Sequence, residues 1–230
     1  MDAQDFYVIT TFIVPVLIAI TLHEAGHAFA AYRLGDPTSK LMGRLTLDPF
    51  KHIDPVGTIL LPGILLLSHA PALFGYAKPV RVDYRNLRKP RRDALLVAAA
   101  GPAMNLVLAF ISALLMHIDG LVSIENIPWT YANIVNSVTA NVVMAVFNML
   151  PILPLDGGRV LNSLLPPKLA RAHARTERHG MLIVLALFML PAFLRDAQIA
   201  DIPTNYYLIG LPVQYIGDAI LHLAGIGNNG

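Results

Sequence analysis

The 230-residue chain contains no cysteine. This absence excludes a disulfide framework, a thiolate metal site and a thiol nucleophile. Charged residues are also scarce, at 14% of the chain, against roughly 25% in an ordinary soluble domain. The net charge of +2 excludes the electrostatic footprint of a nucleic-acid-binding protein. Because 55% of the residues are hydrophobic, which also excludes intrinsic disorder, the composition predicts a membrane protein whose metal ligands can only be His, Asp or Glu.

Long apolar runs indicate several membrane crossings. A helix that crosses ~30 Å of hydrocarbon needs about 20 mainly apolar residues. The candidate spans are residues 6–31, 94–116, 134–155 and 181–194. The run 6–31 is too long for a secretory signal, so we expect it to be retained. A weaker run, 206–224, could span the membrane or lie at its interface. The sequence therefore predicts an all-α polytopic membrane protein with about four to six transmembrane helices.

Basic residues predict the orientation of these spans. All Lys and Arg residues except Arg195 lie in the segments 33–54, 75–93 and 155–180. Under the positive-inside rule the three segments share the cytoplasmic side. Residues 33–93 then begin and end on that side, and the short apolar stretch 58–68 is expected to be re-entrant or interfacial.

Two short stretches in this inner region have the alternating pattern of β-strands. One is 41–47, where leucines and Gly43 alternate with other residues, and the other is 77–84. We therefore expect a small membrane-associated β element at the cytoplasmic face.

The first run contains the pattern H-E-x-x-H, from His23 to His27. On a helix, positions i and i+4 share one face, so both imidazoles can bind one ion while Glu24 lies beside it to handle a water proton. The alternative is a pair of buried histidines that pack a helix bundle. Ionisable residues inside a membrane are costly and usually functional, which favours the metal site.

A catalytic zinc site normally has a third protein ligand. At 1.5 Å per residue from Phe6, His23 lies about 26 Å along its helix, near the inner end of the hydrocarbon. The third run ends on the same side with Asp156, which is therefore at a matching depth. The alternative is that Asp156 only opens an Asp-Gly turn.

Two further motifs follow the first in chain order. They are G-P-x-x-N at 101–105 and N-x-x-P-x-x-x-x-D-G at 148–157. With all three motifs, the chain resembles the site-2 protease family of intramembrane zinc metalloproteases. The resemblance implies one Zn²⁺ per chain. It assigns its residues as follows: His23, His27 and Asp156 as zinc ligands, Glu24 as general base, and Asn148 as a group that holds the substrate backbone or the developing oxyanion.

The resemblance also implies a substrate class and a location. The substrates would be transmembrane helices of membrane-anchored proteins, cleaved in the lipid bilayer of a bacterial cytoplasmic membrane, near its cytoplasmic face. Because a helix must unwind before hydrolysis, we expect Leu45 and Thr46 to pair with the opened substrate by strand addition. Asn105 is a candidate substrate contact, or it forms a hydrogen bond across a helix contact.

The chain departs from larger relatives in its domains. Many relatives carry a PDZ domain between the second and third core spans, but in this chain only residues 119–132 separate those spans. Other relatives have a cystathionine-β-synthase-like domain at the C-terminal end, but here only 36 residues follow Leu194. We expect one domain over 1–230, with a core at 8–160 and a C-terminal helical hairpin at 180–226. The rival functions are a membrane metal transporter, which needs no base, and an inactive scaffold, which would lack a ligand or base.

Overall fold

The structure, a computed structural model, describes residues 3–52, 54–60, 80–118 and 128–226. The described part is helical. Its α-helices are α1 (Ala3–Arg33), α2 (Thr38–Leu41), α3 (Pro90–Leu115), α4 (Pro128–Asn148), α5 (Asp156–Leu164), α6 (Pro167–Ala174), α7 (Glu177–Asp196) and α8 (Leu211–Leu223). Short 3-10 turns cover Pro49–Lys51 and Tyr84–Asn86, and π-helical turns cover Pro55–Leu60 and Tyr206–Gly210.

Four of these helices are long and apolar enough to cross a membrane: Thr10–Arg33 of α1, and the whole of α3, α4 and α7. They confirm four of the expected spans. The weaker run at 206–224 forms a π-helical turn followed by α8, which has 13 residues. The π-helical turn and α8 are continuous, so together they form a longer helical stretch than α8 alone. Helix α8 packs against α3 and α4.

Helices α1, α3 and α4 pack closely around the centre of the molecule. Ala19 and Ala28 of α1 and Ala109 of α3 are fully buried, and small residues at such contacts let helix backbones approach each other. At Gly26, a Cβ atom would lie 2.9 Å from the carbonyl oxygen of Ala100. The C-terminal third of α1, where the H-E-x-x-H motif lies, is therefore pressed directly against α3.

The expected third span, 134–155, is wrong at its end, because α4 ends at Asn148. Pro151 and Pro154 follow, and proline cannot continue a helix because it lacks the backbone donor and clashes with the preceding turn. The chain turns back at 149–155 and α5 begins at Asp156. A Cβ atom on Gly157 would lie 2.2 Å from the Met149 carbonyl oxygen. Glycine at this position thus allows α5 to fold against the turn, and Asp156 starts a separate short helix.

The predicted strand at 41–47 is also wrong. Leu41 ends α2, and the Arg44 amide donates to the Ser39 carbonyl at 2.8 Å. Gly43 has φ +66°, a left-handed conformation that turns the chain and breaks the extended pattern. These local hydrogen bonds outweigh the alternation of leucines, so the described residues contain no β element here.

The second predicted strand, 77–84, lies partly outside the described residues, as does most of the stretch 58–68. Residues 80–83 run without regular structure and the 3-10 turn follows. Ser39 Oγ donates to the Arg81 carbonyl at 2.9 Å, and the Asp83 amide donates to Asp36 Oδ2 at 2.8 Å. The segment is thus held by side chains just beyond α1.

Asp36 is the main anchor of this segment. Its carboxylate is fully buried and accepts from the Thr38 amide, the Asp83 amide and Asn86 Nδ2 at 2.8–3.0 Å. Burial by itself would raise the pKa of Asp36, but the hydrogen bonds from Asn86, Thr38 and Asp83 outweigh it and lower the pKa. The ionised carboxylate therefore fixes residues 83–86 to the end of α1.

Candidate active site

The H-E-x-x-H histidines of α1 meet Asp156 of α5. His23 Nε2 lies 3.1 Å from Asp156 Oδ2, and His27 Nε2 lies 3.2 Å from the same oxygen. His23 is buried and the other two side chains are largely so. Each residue offers one ligand atom, and these three atoms lie within 4.8 Å of one another. The structure thus brings together the three side chains that the sequence singled out as metal ligands.

The protonation of these groups fits a metal ion. His23 Nδ1 faces Asn105 Oδ1 at 2.6 Å, and His27 Nδ1 faces the Val97 carbonyl oxygen at 2.7 Å. Both oxygens can only accept, so each Nδ1 carries a proton and donates it. Nε2 is then the nitrogen of each ring that faces Asp156 and is available to an ion. Asp156 Oδ2 is buried and has no hydrogen-bond donor within the described residues.

At such distances the two ring nitrogens and the carboxylate oxygen share a cation between them, either a metal ion or a proton. The Nε2 atoms of His23 and His27 are themselves only 3.1 Å apart. Two neutral imidazoles and one carboxylate form a ligand set used by catalytic zinc, and the Nδ1–H bonds to oxygen are the usual support for such histidines. The residues present therefore fit a zinc ion.

Gly101 of α3 leaves room beside these ligands. A Cβ atom at this position would lie 2.4 Å from His27 Nε2 and 2.7 Å from His23 Cε1. Any larger side chain would occupy the space next to both imidazoles. The glycine of the G-P-x-x-N motif is therefore a requirement of the close approach of α3 to the site.

Glu24 lies next to His23 in α1 but is not one of the three convergent residues. Its Oε2 accepts a hydrogen bond from the Val80 amide at 2.8 Å. The side chain is half-buried. The carboxylate is thus held beside the ligands in one orientation by the segment that Asp36 anchors, which is the arrangement expected of a general base outside the coordination shell.

The remaining predicted site residues are Asn148, Asn105, Leu45 and Thr46. Asn148 ends α4, and its Nδ2 donates to the Met144 carbonyl at 3.0 Å. Asn105 is fully buried, and its three partners favour the alternative of a hydrogen bond across helices over substrate contact. The hydrogen bonds of Thr46 are local, since its carbonyl accepts from His52 Nε2 at 3.0 Å. Leu45 is half-buried in the same loop.

The sequence did not point to several supporting groups. The Val97 carbonyl and the Val80 amide are backbone atoms, so no side-chain motif could reveal them. Arg159, one turn after Asp156, donates to the Tyr84 hydroxyl at 2.8 Å and the Pro154 carbonyl at 3.3 Å. It therefore holds α5, and with it Asp156, against the segment near Glu24.

Four helices of spanning length, a His–His–Asp set and a carboxylate next to it in sequence are the features expected of a membrane-embedded, metal-dependent hydrolase. Comparison with known proteins agrees. Residues 11–128 and 120–191 match peptidase family M50. The chain belongs to this family, which confirms the resemblance to the site-2 proteases.

Three similar proteins are each named a putative zinc metalloprotease. The chain is 38% identical over 183 residues to "Putative zinc metalloprotease YwhC" of Bacillus subtilis, a match that covers 78% of this chain and 80% of that protein. It is 34% identical over 186 residues to "Putative zinc metalloprotease Rip2" of Mycolicibacterium smegmatis, covering 78% and 66%. The Mycobacterium tuberculosis Rip2 is 33% identical over 177 residues, covering 76% and 65%. No solved structure matches the chain.

Proposed function

We propose that this protein is an intramembrane zinc metalloprotease that hydrolyses peptide bonds within or near transmembrane segments of membrane-anchored proteins. The observation that carries the proposal is the convergence of His23 and His27, on a helix long enough to span a bilayer, with Asp156 at the start of the short helix α5. Family membership supports a peptidase, and the names of the relatives support zinc.

His23, His27 and Asp156 would hold one zinc ion. When bound, zinc makes a coordinated water acidic enough to ionise near neutral pH and polarises the scissile carbonyl. The protein prepares this site by holding a proton on each Nδ1, so that Nε2 is the ring nitrogen offered to the metal.

Glu24 accepts the proton of the attacking water and returns it to the leaving amine. The Val80 amide fixes Oε2 at 2.8 Å, so the carboxylate does not need to be reoriented when substrate arrives. Burial of the neighbouring His23 limits bulk water around the site, which strengthens these electrostatic interactions.

Asn148 and the loop around Thr46 are the proposed substrate contacts. Asn148 donates to its own helix at Met144, and it would exchange that acceptor for the oxyanion or the substrate backbone. Leu45 and Thr46 remain candidates for contact with the unwound substrate as loop residues rather than as a strand edge.

The active site is proposed to lie near the cytoplasmic face, in a bacterial cytoplasmic membrane. The distribution of basic residues supports this orientation. In addition, Arg91 at the start of α3 donates to the carbonyls of Ser163 and Leu165 at the end of α5. Because this contact joins the segments 75–93 and 155–180, they lie on the same side of the bundle.

The two rival functions are not favoured. A metal transporter has no use for a carboxylate oriented beside the ligands, as Glu24 is. An inactive scaffold would be expected to lack a ligand or the base, yet all four residues are present and the three ligand side chains converge.

The decisive experiment separates metal binding from turnover. Purified Glu24→Gln should contain as much zinc as wild type but should not cleave a single-span membrane substrate in proteoliposomes, because only the proton acceptor is lost. His23→Ala should lose both. Asp201→Asn, at an exposed carboxylate beyond α7, serves as the control and should behave as wild type. Full activity of Glu24→Gln would refute the proposal.

A further inference from the structure

The two histidine ligands are oriented by different kinds of group. His27 Nδ1 donates to a backbone carbonyl, that of Val97. His23 Nδ1 donates to a side-chain amide oxygen, Asn105 Oδ1, at 2.6 Å. A backbone carbonyl can only accept, whereas a rotated side-chain amide presents NH₂ instead of oxygen. The tautomer of His23 therefore depends on what holds the Asn105 amide in its present orientation.

Asn105 is held by two acceptors behind its NH₂ group. Asn105 Nδ2 donates to the Ala19 carbonyl at 3.2 Å and to Asn141 Oδ1 at 2.8 Å. The shorter bond is the one to Asn141, in α4. Both asparagines are fully buried, so bulk water cannot replace either partner.

Asn141 is in turn oriented by the backbone. Its Nδ2 donates to the Ser137 carbonyl, one helical turn earlier, at 2.8 Å. Because that carbonyl cannot donate, the NH₂ group of Asn141 must face it, and Oδ1 must face Asn105. The order of donors and acceptors is therefore fixed from Ser137 through Asn141 and Asn105 to His23 Nε2.

We propose that Asn141 is a positioning residue of the metal site, which sets the Nδ1–H tautomer and the orientation of the His23 ring by holding the Asn105 amide with its oxygen towards His23. The inference rests on the zinc site proposed above. Without Asn141, only the longer bond to the Ala19 carbonyl, at 3.2 Å, opposes rotation of the Asn105 amide to present NH₂ to His23 Nδ1. The imidazole then carries its proton on Nε2, which blocks coordination.

The test is the zinc affinity of Asn141→Leu, a change that keeps the volume and removes the hydrogen bonds. We expect a 10- to 100-fold larger dissociation constant in chelator competition, the range typical of lost outer-shell partners. Asn141→Ala, which cannot clash, is measured beside it and should show the same direction. Asn105→Leu combined with Asn141→Leu should bind zinc no more weakly than Asn105→Leu alone, because both residues act through one path.

Asn133→Leu is the matched control. Asn133 lies on the same helix, and its Nδ2 also donates to the carbonyl one turn earlier, that of Trp129, at 2.8 Å. It should retain wild-type zinc affinity. Asn133 is half-buried, so it shows whether removing an amide side chain from α4 is enough by itself to change metal binding.

A second readout follows the tautomer itself. Nitrogen NMR of ¹⁵N-histidine-labelled, zinc-free protein should show His23, assigned by loss of its signals in His23→Ala, protonated on Nδ1 in wild type. In Asn141→Leu it should shift towards the Nε2-protonated form. Wild-type zinc affinity and tautomer in both Asn141 variants would overturn this inference and leave the protease proposal intact. Failure of the wild-type protein to bind zinc would defeat both.

Discussion

Replacing Gly101 by alanine should destroy the metal site while leaving the helix bundle folded. The new Cβ atom would lie 2.4 Å from His27 Nε2 and 2.7 Å from His23 Cε1, whereas carbon atoms in contact need about 3.5 Å. The imidazoles would have to retreat by roughly 1 Å, but metal–ligand distances tolerate deviations of only about 0.2 Å. We expect zinc binding at least ~100-fold weaker, the upper end of the loss seen for outer-shell changes.

The same substitution should cost little elsewhere. Alanine is better than glycine within a helix by about 1 kcal/mol, which offsets part of the ~1–3 kcal/mol of overpacking. The assay is zinc content after dialysis against chelators of graded affinity, with thermal unfolding of the zinc-free protein as the folding check. Gly217→Ala is the control, since a Cβ atom there meets nothing within 4 Å. Wild-type zinc affinity in folded Gly101→Ala would refute the reasoning.

Three further outcomes are expected. Asn148→Ala should lower kcat about 10²-fold with unchanged zinc content, the effect of losing one oxyanion donor, and an unchanged kcat would exclude that role. Single cysteines at Leu41 and Lys89 should label only from the cytoplasm and one at Ile118 only from outside; labelling of Lys89→Cys from outside would contradict the orientation. The stability that Asp36 contributes should be present above pH ~4 and lost as the pH falls through its lowered folded-state pKa. The free energy of unfolding of the zinc-free protein should show this loss at low pH. Asp36→Asn should be less stable than wild type above pH ~4 and should not show the loss. If wild type and Asp36→Asn depend on pH in the same way, Asp36 does not stabilise the fold as argued.

Patterns that depend on local geometry were predictable from the sequence. The spacing of His23 and His27 places both on one face of any helix, and the length of the apolar runs indicated four spans, all of which are present. The strand at 41–47 was not predictable in this way. The positive φ of Gly43 and the hydrogen bonds that end α2 override the alternating pattern of leucines.

The sequence by itself determined the membrane class, the H-E-x-x-H pair and the candidacy of Asp156, because helix periodicity, span length and depth follow from the order of residues along the chain. Only the tertiary structure decided how the site is assembled. His23 meets Asn105 across 82 residues, and His27 meets the Val97 carbonyl across 70. The turn at Pro151 and Pro154 delivers Asp156 from a separate helix. These contacts join distant segments through backbone carbonyls and helix packing. Local sequence patterns do not indicate which carbonyl group will face a histidine once the helices have packed.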